Sequence, residues 1–208
     1  MIVVHHLNDS RSERILWLLE ELGVPYEIKS YQRDAQTRLA PPELTGVHPL
    51  GKSPVISDGK RTVHESGAIV DYLIRRHGGG KLAPALGSDA YETYNQWLHY
   101  AEGSAMLPLL LLMYVARLGE AGAPLHPRIE SEIANHMGYV ERALAGREWL
   151  MDEFSAADVQ MSFVGEVLGA FGRLDAYPNI KAWVKRLQAR PAYKAALEKG
   201  GAYSFVQG

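Results

Sequence analysis

The sequence predicts an α/β domain followed by an all-helical domain, and three observations lead to this prediction. Residues 2–31 follow a strand–helix–strand pattern of the size that makes a parallel pair. A glycine run and the residues after it form a linker over residues 79–88. Every segment beyond the linker has helical periodicity. We therefore predict domains at residues 1–78 and 89–208.

Composition excludes several classes of function. The chain has 208 residues, of which 47% are hydrophobic and 22% charged, as is typical of a soluble globular protein. Its formal net charge of −2 leaves no basic excess for nucleic-acid phosphates or an anionic membrane. Cysteine is absent, which excludes disulfides, thiolate metal sites and redox chemistry on a protein thiol. Chemistry on a thiol that a substrate brings remains open.

Neither a secretory leader nor a membrane span is expected. The N-terminal residues have no basic lead and too few apolar side chains for a signal sequence. The longest apolar run, near residues 107–115, is interrupted by Pro108 and is too short to cross a bilayer. The expectation is a cytoplasmic protein with no membrane partner.

The first helix is predicted from one apolar face. Its members are spaced at i, i+3, i+4 and i+7: Ile15, Leu18, Leu19 and Leu22. Ser10 and Glu13 match a capping box at the start of this helix, and Gly23 is placed to end it. The β-branched residues 2–4 before the helix and residues 24–31 after it are predicted strands.

Residues 48–66 predict a site for a small peptide or a carboxylate. Pro54 stands at the start of a short strand, where a proline indicates an edge or a special turn. Asp58 and Gly59, between two β-like runs, indicate a hairpin. Ser66 is predicted as the N-cap of the next helix, and free N–H groups at a helix start bind anions. A cis bond before Pro54 would add fixed backbone groups for a ligand.

The second domain is predicted to contain about five helices. A long segment over residues 90–118 is expected to bend near Pro108, and residues 128–144 form its antiparallel neighbour. Ser155 and Asp158 match a capping box at the start of a buried helix. Two shorter helices follow before the C-terminal tail.

A metal site is not predicted. His5 and His6 are adjacent on the first predicted strand, so their side chains point to opposite faces and cannot hold one ion together. Cysteine ligands are absent as well.

Four segments together resemble the cytosolic glutathione S-transferases. They are SRSERILWLLEELGVPYE at residues 10–27, HPLGKSPVI at 48–56, HESGAIVDYL at 64–73 and FSAADVQM at 154–161. Each segment alone is weakly specific, but their order and spacing along essentially the whole chain make the resemblance strong. The first segment is most similar to a bacterial and fungal subgroup with Ser-Arg at the start of the first helix. The resemblance implies that family's fold, a thioredoxin-like α/β domain followed by an all-α domain.

The resemblance also implies a glutathione site around Pro54. This residue corresponds to the family's cis-proline, so the backbone of Ser53 would pair with the cysteinyl part of glutathione. Glu65 and Ser66 resemble the pair that holds the γ-glutamyl end. Lys52 resembles the residue that reaches the glycine carboxylate.

The sequence leaves open which residue activates the thiol. The first turn lacks the tyrosine or cysteine that is usual in this family, which leaves Ser10, Arg11 and Ser12 as catalytic candidates. A free thiol has a pKa of ~8.5 and must be stabilised as a thiolate, which a hydroxyl donor at a helix start can do. Ser10 has this chemistry and position, although a helix cap explains it equally well. Arg11 is the second candidate, through its cation or its backbone N–H, and Ser12 is the third.

The expected activity is conjugation of the glutathione thiolate to small apolar electrophiles, as in detoxification, with reduction of organic peroxides as a further activity. The alternative is a non-catalytic module that binds glutathione or a protein on the same fold. Disulfide reduction by two bound glutathiones also stays open. Glutathione would be a co-substrate, no cofactor is expected, and the resemblance implies a homodimer. The second-substrate pocket is predicted from an apolar helical stripe that includes Met106, Leu110, Met113 and Tyr114.

Overall fold

The computed structural model describes residues 1–206, which form two compact units. The first unit comprises Met1–Ala83 and Leu187–Val206, and the second comprises Pro84–Arg186. The last helix and the tail thus belong to the same compact unit as the α/β region, a grouping that the sequence did not suggest. The division into domains at residues 1–78 and 89–208 stays a prediction.

The first unit is built on a four-stranded sheet with strand order β2-β1-β3-β4. Its strands are β1 Ile2–Leu7, β2 Tyr26–Tyr31, β3 Val55–Asp58 and β4 Arg61–His64. β1 pairs in parallel with β2 and antiparallel with β3, and β3 pairs antiparallel with β4. The predicted strand–helix–strand unit and the hairpin at Gly59 are therefore both present, and β1 and β3 are the central strands.

The α-helices follow along the chain as α1 Glu13–Leu22, α2 Ser66–Arg76, α3 Asp89–Tyr100, α4 Met106–Val115, α5 His126–Ala143, α6 Ala156–Ala170, α7 Pro178–Gln188 and α8 Pro191–Gly200. In the first unit, α1 buries more than its predicted face, since Leu16 and Trp17 are also 0% exposed. The cause is α8, which packs on α1 and brings the Tyr193 ring edge-on to Trp17 at 5.2 Å between centroids. Arg190 Nε donates to Glu21 Oε1 at 2.6 Å across the same contact.

In the second unit, the long helix predicted over residues 90–118 is divided. A π-helical turn, Ala101–Ala105, separates α3 from α4, and a 3₁₀ segment, Ala116–Leu125, separates α4 from α5. Pro108 lies inside α4 and has no N–H to donate to the preceding turn. We predicted an irregularity of the helix near this proline, and the wider π turn lies directly before α4.

One part of this helical run is apolar enough in composition to cross a membrane. It is an 18-residue window within Asp89–Ala143, with a mean hydropathy of 1.4 and 33% of its residues buried. Core helices of soluble proteins meet the same criterion, so a single window of this kind is weak support for a membrane span.

The predicted capping box at the start of α6 is formed. Ser155 Oγ accepts a hydrogen bond from Ala157 N–H at 3.3 Å, and Asp158 Oδ2 accepts one from Ser155 N–H at 3.0 Å. Thirteen consecutive residues of α6 are buried after this cap, so the helix forms the core of the second unit.

Replacing Gly165 by alanine is expected to destabilise the second unit by roughly 1–3 kcal/mol, the usual cost of overpacking a core. A Cβ there would lie 2.6 Å from Val184 Cγ2 and 3.0 Å from Trp183 Cζ3, where α6 and α7 approach closely. Both side chains are 1% exposed and have little room to move. Urea denaturation measures the free energy of unfolding.

The matched control is Gly138→Ala in α5. A Cβ there would meet the mobile end of Arg142, with Nη1 at 3.3 Å. Alanine should then stabilise the helix by roughly 0.5–1 kcal/mol through its better helix propensity. Equal stabilisation by both substitutions would contradict the close packing of α6 on α7.

Candidate active site

Four polar side chains at the end of β1 and the start of α1 form a buried chain. Ser10 Oγ lies 2.8 Å from Ser12 Oγ, which lies 2.9 Å from His6 Nδ1. His6 Nε2 in turn lies 3.8 Å from Glu13 Oε2. Each of these four residues is at most 4% exposed. They meet because the strand end and the helix start are joined by a single short turn.

Of the three catalytic candidates, Ser10 has a hydroxyl with remaining capacity for a ligand. Ser12 Oγ already faces the N–H and the C=O of Leu7 at 3.2 Å each, besides Ser10 and His6. Those four neighbours saturate a group with one proton and two lone pairs. Ser10 Oγ accepts from Ser12 N–H at 3.1 Å and faces Ser12 Oγ, which leaves one position. Arg11 is partly exposed.

The capping box predicted at Ser10 and Glu13 is wrong in its register. The N-cap residue of α1 is Ser12, which makes no side-chain cap hydrogen bond. Ser10 contributes its carbonyl to Glu13 N–H at 3.3 Å and its hydroxyl oxygen to Ser12 N–H. The Ser10 hydroxyl therefore closes the turn before α1.

Asp9, the residue before Ser10, anchors this turn through its carboxylate. Asp9 has a positive φ of 49°, and its carboxylate accepts from Arg38 Nη2 and from Ser204 N–H, both at 2.9 Å. Burial alone would raise the pKa of Asp9, but the hydrogen bonds from Ser204 and Arg38 hold it below its usual value. The C-terminal tail is thus attached directly beside the candidate catalytic serine.

The predicted peptide-binding loop lies before β3. The Ser53–Pro54 bond is cis, and Pro54 is buried. Ser53 Oγ donates to the backbone carbonyl of His5 at 2.8 Å, which fastens the loop to the central strand β1. Lys52 is exposed, so its ammonium group is accessible to a ligand.

The predicted pair Glu65 and Ser66 occupies the start of α2. Glu65, not Ser66, is the N-cap residue, and its φ of 66° and ψ of 117° are uncommon for a residue with a Cβ. Such strained positions concentrate at ligand sites. Ser66 is 4% exposed and accepts from Arg14 Nη2 at 2.6 Å.

Arg14 and His6 are site neighbours that the sequence reasoning did not find. Arg14 is 3% exposed, although it stands in a helix whose predicted buried face begins one residue later, at Ile15. A charged residue beside that face was the available indication. His6 also hydrogen-bonds the backbone of Gly200, at the end of α8, and no local pattern reports such a distant partner.

The residues predicted to line a second-substrate pocket lie on α4 with different exposures. Met106 is 1% exposed and belongs to the core of the second unit. Leu110 is partly exposed, and Met113 and Tyr114 are 37% and 55% exposed. Three of the four side chains are therefore available at the surface of this helix.

A cavity in the second unit is lined by none of the residues predicted to act on glutathione. It has a volume of about 1090 Å³ and is lined by residues of α3 and α5 that include Trp97, Tyr100 and Tyr139. The Tyr100 hydroxyl hydrogen-bonds His136 Nδ1 at 2.8 Å, and burial raises the pKa of Tyr100 to about 12.

Comparison with known proteins decides the family. Residues 1–75 match the model of the glutathione S-transferase N-terminal domain, and residues 120–200 match that of the glutathione S-transferase C-terminal domain. Glutathione S-transferase 3 of Schizosaccharomyces pombe is 37% identical over 216 residues, which covers 96% of this chain and 88% of the relative. This chain belongs to the glutathione S-transferase family. The family identified from the four sequence segments is confirmed, and the chain is accordingly a glutathione S-transferase enzyme.

Solved structures of bacterial glutathione S-transferases share the fold. One from Actinobacillus pleuropneumoniae is 35% identical with a TM-score of 0.90, covering 99% of this chain and 95% of that chain. A family member from Pseudomonas fluorescens Pf-5, solved with two glutathione bound, is 27% identical with a TM-score of 0.81, covering 95% and 92%. The predicted glutathione S-transferase fold, with a thioredoxin-like and an all-helical region, is therefore confirmed.

Proposed function

We propose that this glutathione S-transferase forms a glutathione thiolate beside Ser10 and transfers it to small apolar electrophiles. The observation that carries the proposal is the Ser10 hydroxyl, which closes the turn before α1 and has capacity for one further hydrogen bond. Ser12 is saturated by its neighbours and fits a supporting role. Arg11 remains the second candidate, through its side chain or its backbone N–H.

The chemistry requires stabilisation of a charge. A free thiol has a pKa of ~8.5, and lowering this value by one unit requires about 1.4 kcal/mol of preference for the thiolate. A hydroxyl that donates to the sulfur supplies a charge-assisted hydrogen bond. The positive end of the α1 dipole adds to the effect within the first turn.

The rest of glutathione would be held by the residues predicted from the sequence. The exposed Glu65 carboxylate suits the γ-glutamyl ammonium group, and the Ser66 hydroxyl, held by Arg14, suits its carboxylate together with the N–H groups of α2. The backbone of Ser53 would pair with the cysteinyl part. Lys52 would reach the glycine carboxylate.

Replacing Glu65 by glutamine should raise the KM for glutathione by roughly tenfold, because a hydrogen bond to a charged group contributes about 1.5–3 kcal/mol. The kcat should change little, since the charge lies away from the sulfur. Steady-state kinetics with varied glutathione measures both constants. Glu27→Gln is the matched control, because Glu27 is an exposed glutamate on β2. An equal KM for both variants would remove Glu65 from the binding site.

The electrophile is proposed to contact Leu110, Met113 and Tyr114, while Met106 supports α4 from the core. The flexible thioether side chain of Met113 adapts to apolar compounds of varied shape. We extend the same proposal to the reduction of organic peroxides by glutathione. A homodimer and a cytoplasmic location are also proposed, and sedimentation decides the first of these.

Disulfide reduction by two glutathione molecules is a second candidate activity. It is favoured by the related protein from Pseudomonas fluorescens, which was solved with two glutathione bound. It needs no cysteine of the protein, which agrees with the absence of cysteine from the sequence. The thiolate of one glutathione would attack a substrate disulfide, forming a mixed disulfide and releasing one substrate thiolate. The thiolate of the second glutathione would attack the glutathione sulfur of that mixed disulfide, giving glutathione disulfide and the other substrate thiolate.

Assays with a panel of second substrates test the proposed function. An aryl halide, an epoxide, an organic hydroperoxide and a glutathione mixed disulfide should be offered at saturating glutathione. Turnover of the halide or the epoxide supports transfer, and turnover of the mixed disulfide alone supports the second candidate. Tight binding to immobilised glutathione without turnover of any compound would support a non-catalytic module.

A further inference from the structure

The buried chain behind Ser10 ends at a titratable side chain. From Ser10 Oγ it runs to Ser12 Oγ at 2.8 Å and on to His6 Nδ1 at 2.9 Å. We propose that His6 accepts the proton of the glutathione thiol through the hydroxyls of Ser10 and Ser12. This inference rests on the proposed function, in which Ser10 contacts the sulfur.

The hydrogen bonds of the resting site place a lone pair at the end of this chain. The His6 ring hydrogen-bonds the backbone of Gly200, where a carbonyl accepts an N–H. In the neutral imidazole the other nitrogen, Nδ1, is then an acceptor, and at 2.9 Å it is a nearer acceptor for the Ser12 proton than the Leu7 carbonyl at 3.2 Å. Ser12 Oγ also accepts from Leu7 N–H at 3.2 Å and can accept from the Ser10 hydroxyl. All three side chains are thereby aligned to pass a proton toward His6.

The proton transfer balances without any further reactant. The S–H bond breaks and its proton moves to Ser10 Oγ, while the Ser10 proton moves to Ser12 Oγ and the Ser12 proton to His6 Nδ1. Each hydroxyl ends with one proton, the sulfur keeps its electron pair as a thiolate, and the imidazole becomes an imidazolium. Every donor in the chain then points toward the sulfur, so the thiolate receives a hydrogen bond from Ser10. The proton returns to solvent after the product has left.

The groups around His6 act on the imidazolium in opposite directions. The Glu13 carboxylate, from α1, lies 3.8 Å from Nε2, with only 5% of its side chain exposed. Gly200 is the last residue of α8, so the negative end of that helix dipole faces the ring. Burial opposes these groups and lowers the pKa of His6, while the hydrogen bond to Gly200 raises it. The proton is therefore held only while the thiolate is present as a counter-charge.

Two measurements on the wild-type protein with glutathione test the relay. The ultraviolet absorption of the thiolate gives the amount formed, and a pH indicator gives the protons released to solvent. Thiolate should form with much less than one proton released, and the ¹⁵N resonance of His6 Nδ1 should move to that of a protonated nitrogen. Release of one proton for each thiolate, with an unchanged His6 resonance, overturns the proposal.

Variants test which side chains of the buried Ser10–Ser12–His6 series take part in the proton transfer. His6→Gln and Ser12→Ala should each lower kcat by roughly 100-fold, as expected for loss of a proton acceptor. The KM for glutathione should stay the same, and the thiolate that still forms should release its proton to solvent. His5→Gln is the matched control, because His5 is an adjacent buried histidine that hydrogen-bonds Tyr31 and Ser57 instead. Wild-type kcat in both His6→Gln and Ser12→Ala would overturn the relay.

Failure of the relay differs from failure of the proposed function. If Ser10→Ala abolishes the thiolate while His6→Gln releases no more protons than the wild type, the relay alone is wrong. If the wild-type protein binds glutathione without any thiolate, the proposed role of Ser10 is wrong. Should a variant fail to fold, as judged by circular dichroism, the wild-type ¹⁵N measurement still decides the question.

Discussion

Replacement of Ser10 by alanine is expected to lower kcat/KM for conjugation by about 100-fold at neutral pH. The estimate follows from oxyanion sites, where loss of one donor lowers kcat by roughly 10²–10³. The same change should return the pKa of bound glutathione toward ~8.5, the value of a free thiol. A factor of 100 corresponds to about 2.7 kcal/mol, or two pKa units. Titration of the thiolate absorption measures the shift independently of turnover.

Controls for this substitution come from the same part of the chain. Ser30→Ala removes an exposed hydroxyl on β2 and should leave activity unchanged. Arg11→Ala tests the second candidate, since Arg11 directly follows Ser10. Full activity of Ser10→Ala, together with a loss of about 100-fold in Arg11→Ala, would show that Arg11 and not Ser10 stabilises the thiolate. Affinity for glutathione, measured by calorimetry at a pH below the pKa of the bound thiol, should change little in Ser10→Ala, because the thiol is then protonated in both complexes.

The largest effect on stability is expected from Asp158→Ala. The carboxylate is 0% exposed and accepts three N–H donors: Leu150 at 3.0 Å, Trp183 Nε1 at 2.9 Å and Ser155 at 3.0 Å. Alanine would leave these buried donors without an acceptor, and each unsatisfied donor costs about 1–3 kcal/mol. We expect a loss of about 3–5 kcal/mol in the free energy of unfolding, measured by urea denaturation.

Asp158→Asn keeps the shape of the side chain and changes only its hydrogen bonding and charge. Burial raises the pKa of Asp158, while the donors from Leu150, Trp183 and Ser155 lower it. Asparagine keeps one oxygen, which can serve Leu150 and Trp183, but presents an NH₂ group to Ser155 N–H. It should therefore lose about half as much stability as alanine. Equal and small losses in both variants would show that these hydrogen bonds contribute little to the fold.

The features predicted correctly from the sequence depend on contacts close along the chain. The hairpin at Gly59 and the cap at Ser155 each involve residues a few positions apart, where spacing and turn chemistry decide. The strand–helix–strand unit pairs more distant residues, such as Ile2 and Tyr26, but its three elements follow one another directly along the chain. The register of the cap at Ser10 could not be decided in this way. The Ser12 hydroxyl hydrogen-bonds Leu7 and His6 at the end of β1, and the helix starts later as a result.

Contacts between distant parts of the chain account for what was not predicted. The apolar spacing in α1 found four core positions but missed Leu16 and Trp17, because a helix packed on its second side adds to the buried face. The alternation of side chains correctly separated His5 from His6 onto opposite faces, yet it could not report what each one meets. For His6, the partners include Gly200, which only the packing of α8 within the first unit brings close.

A crystal structure with glutathione bound would show which residue contacts the sulfur. We expect the sulfur within hydrogen-bond distance of Ser10 Oγ, the cysteinyl backbone against Ser53, and the γ-glutamyl end at Glu65 and Ser66. A sulfur placed against the Arg11 guanidinium, with Ser10 still turned toward Ser12, would contradict it.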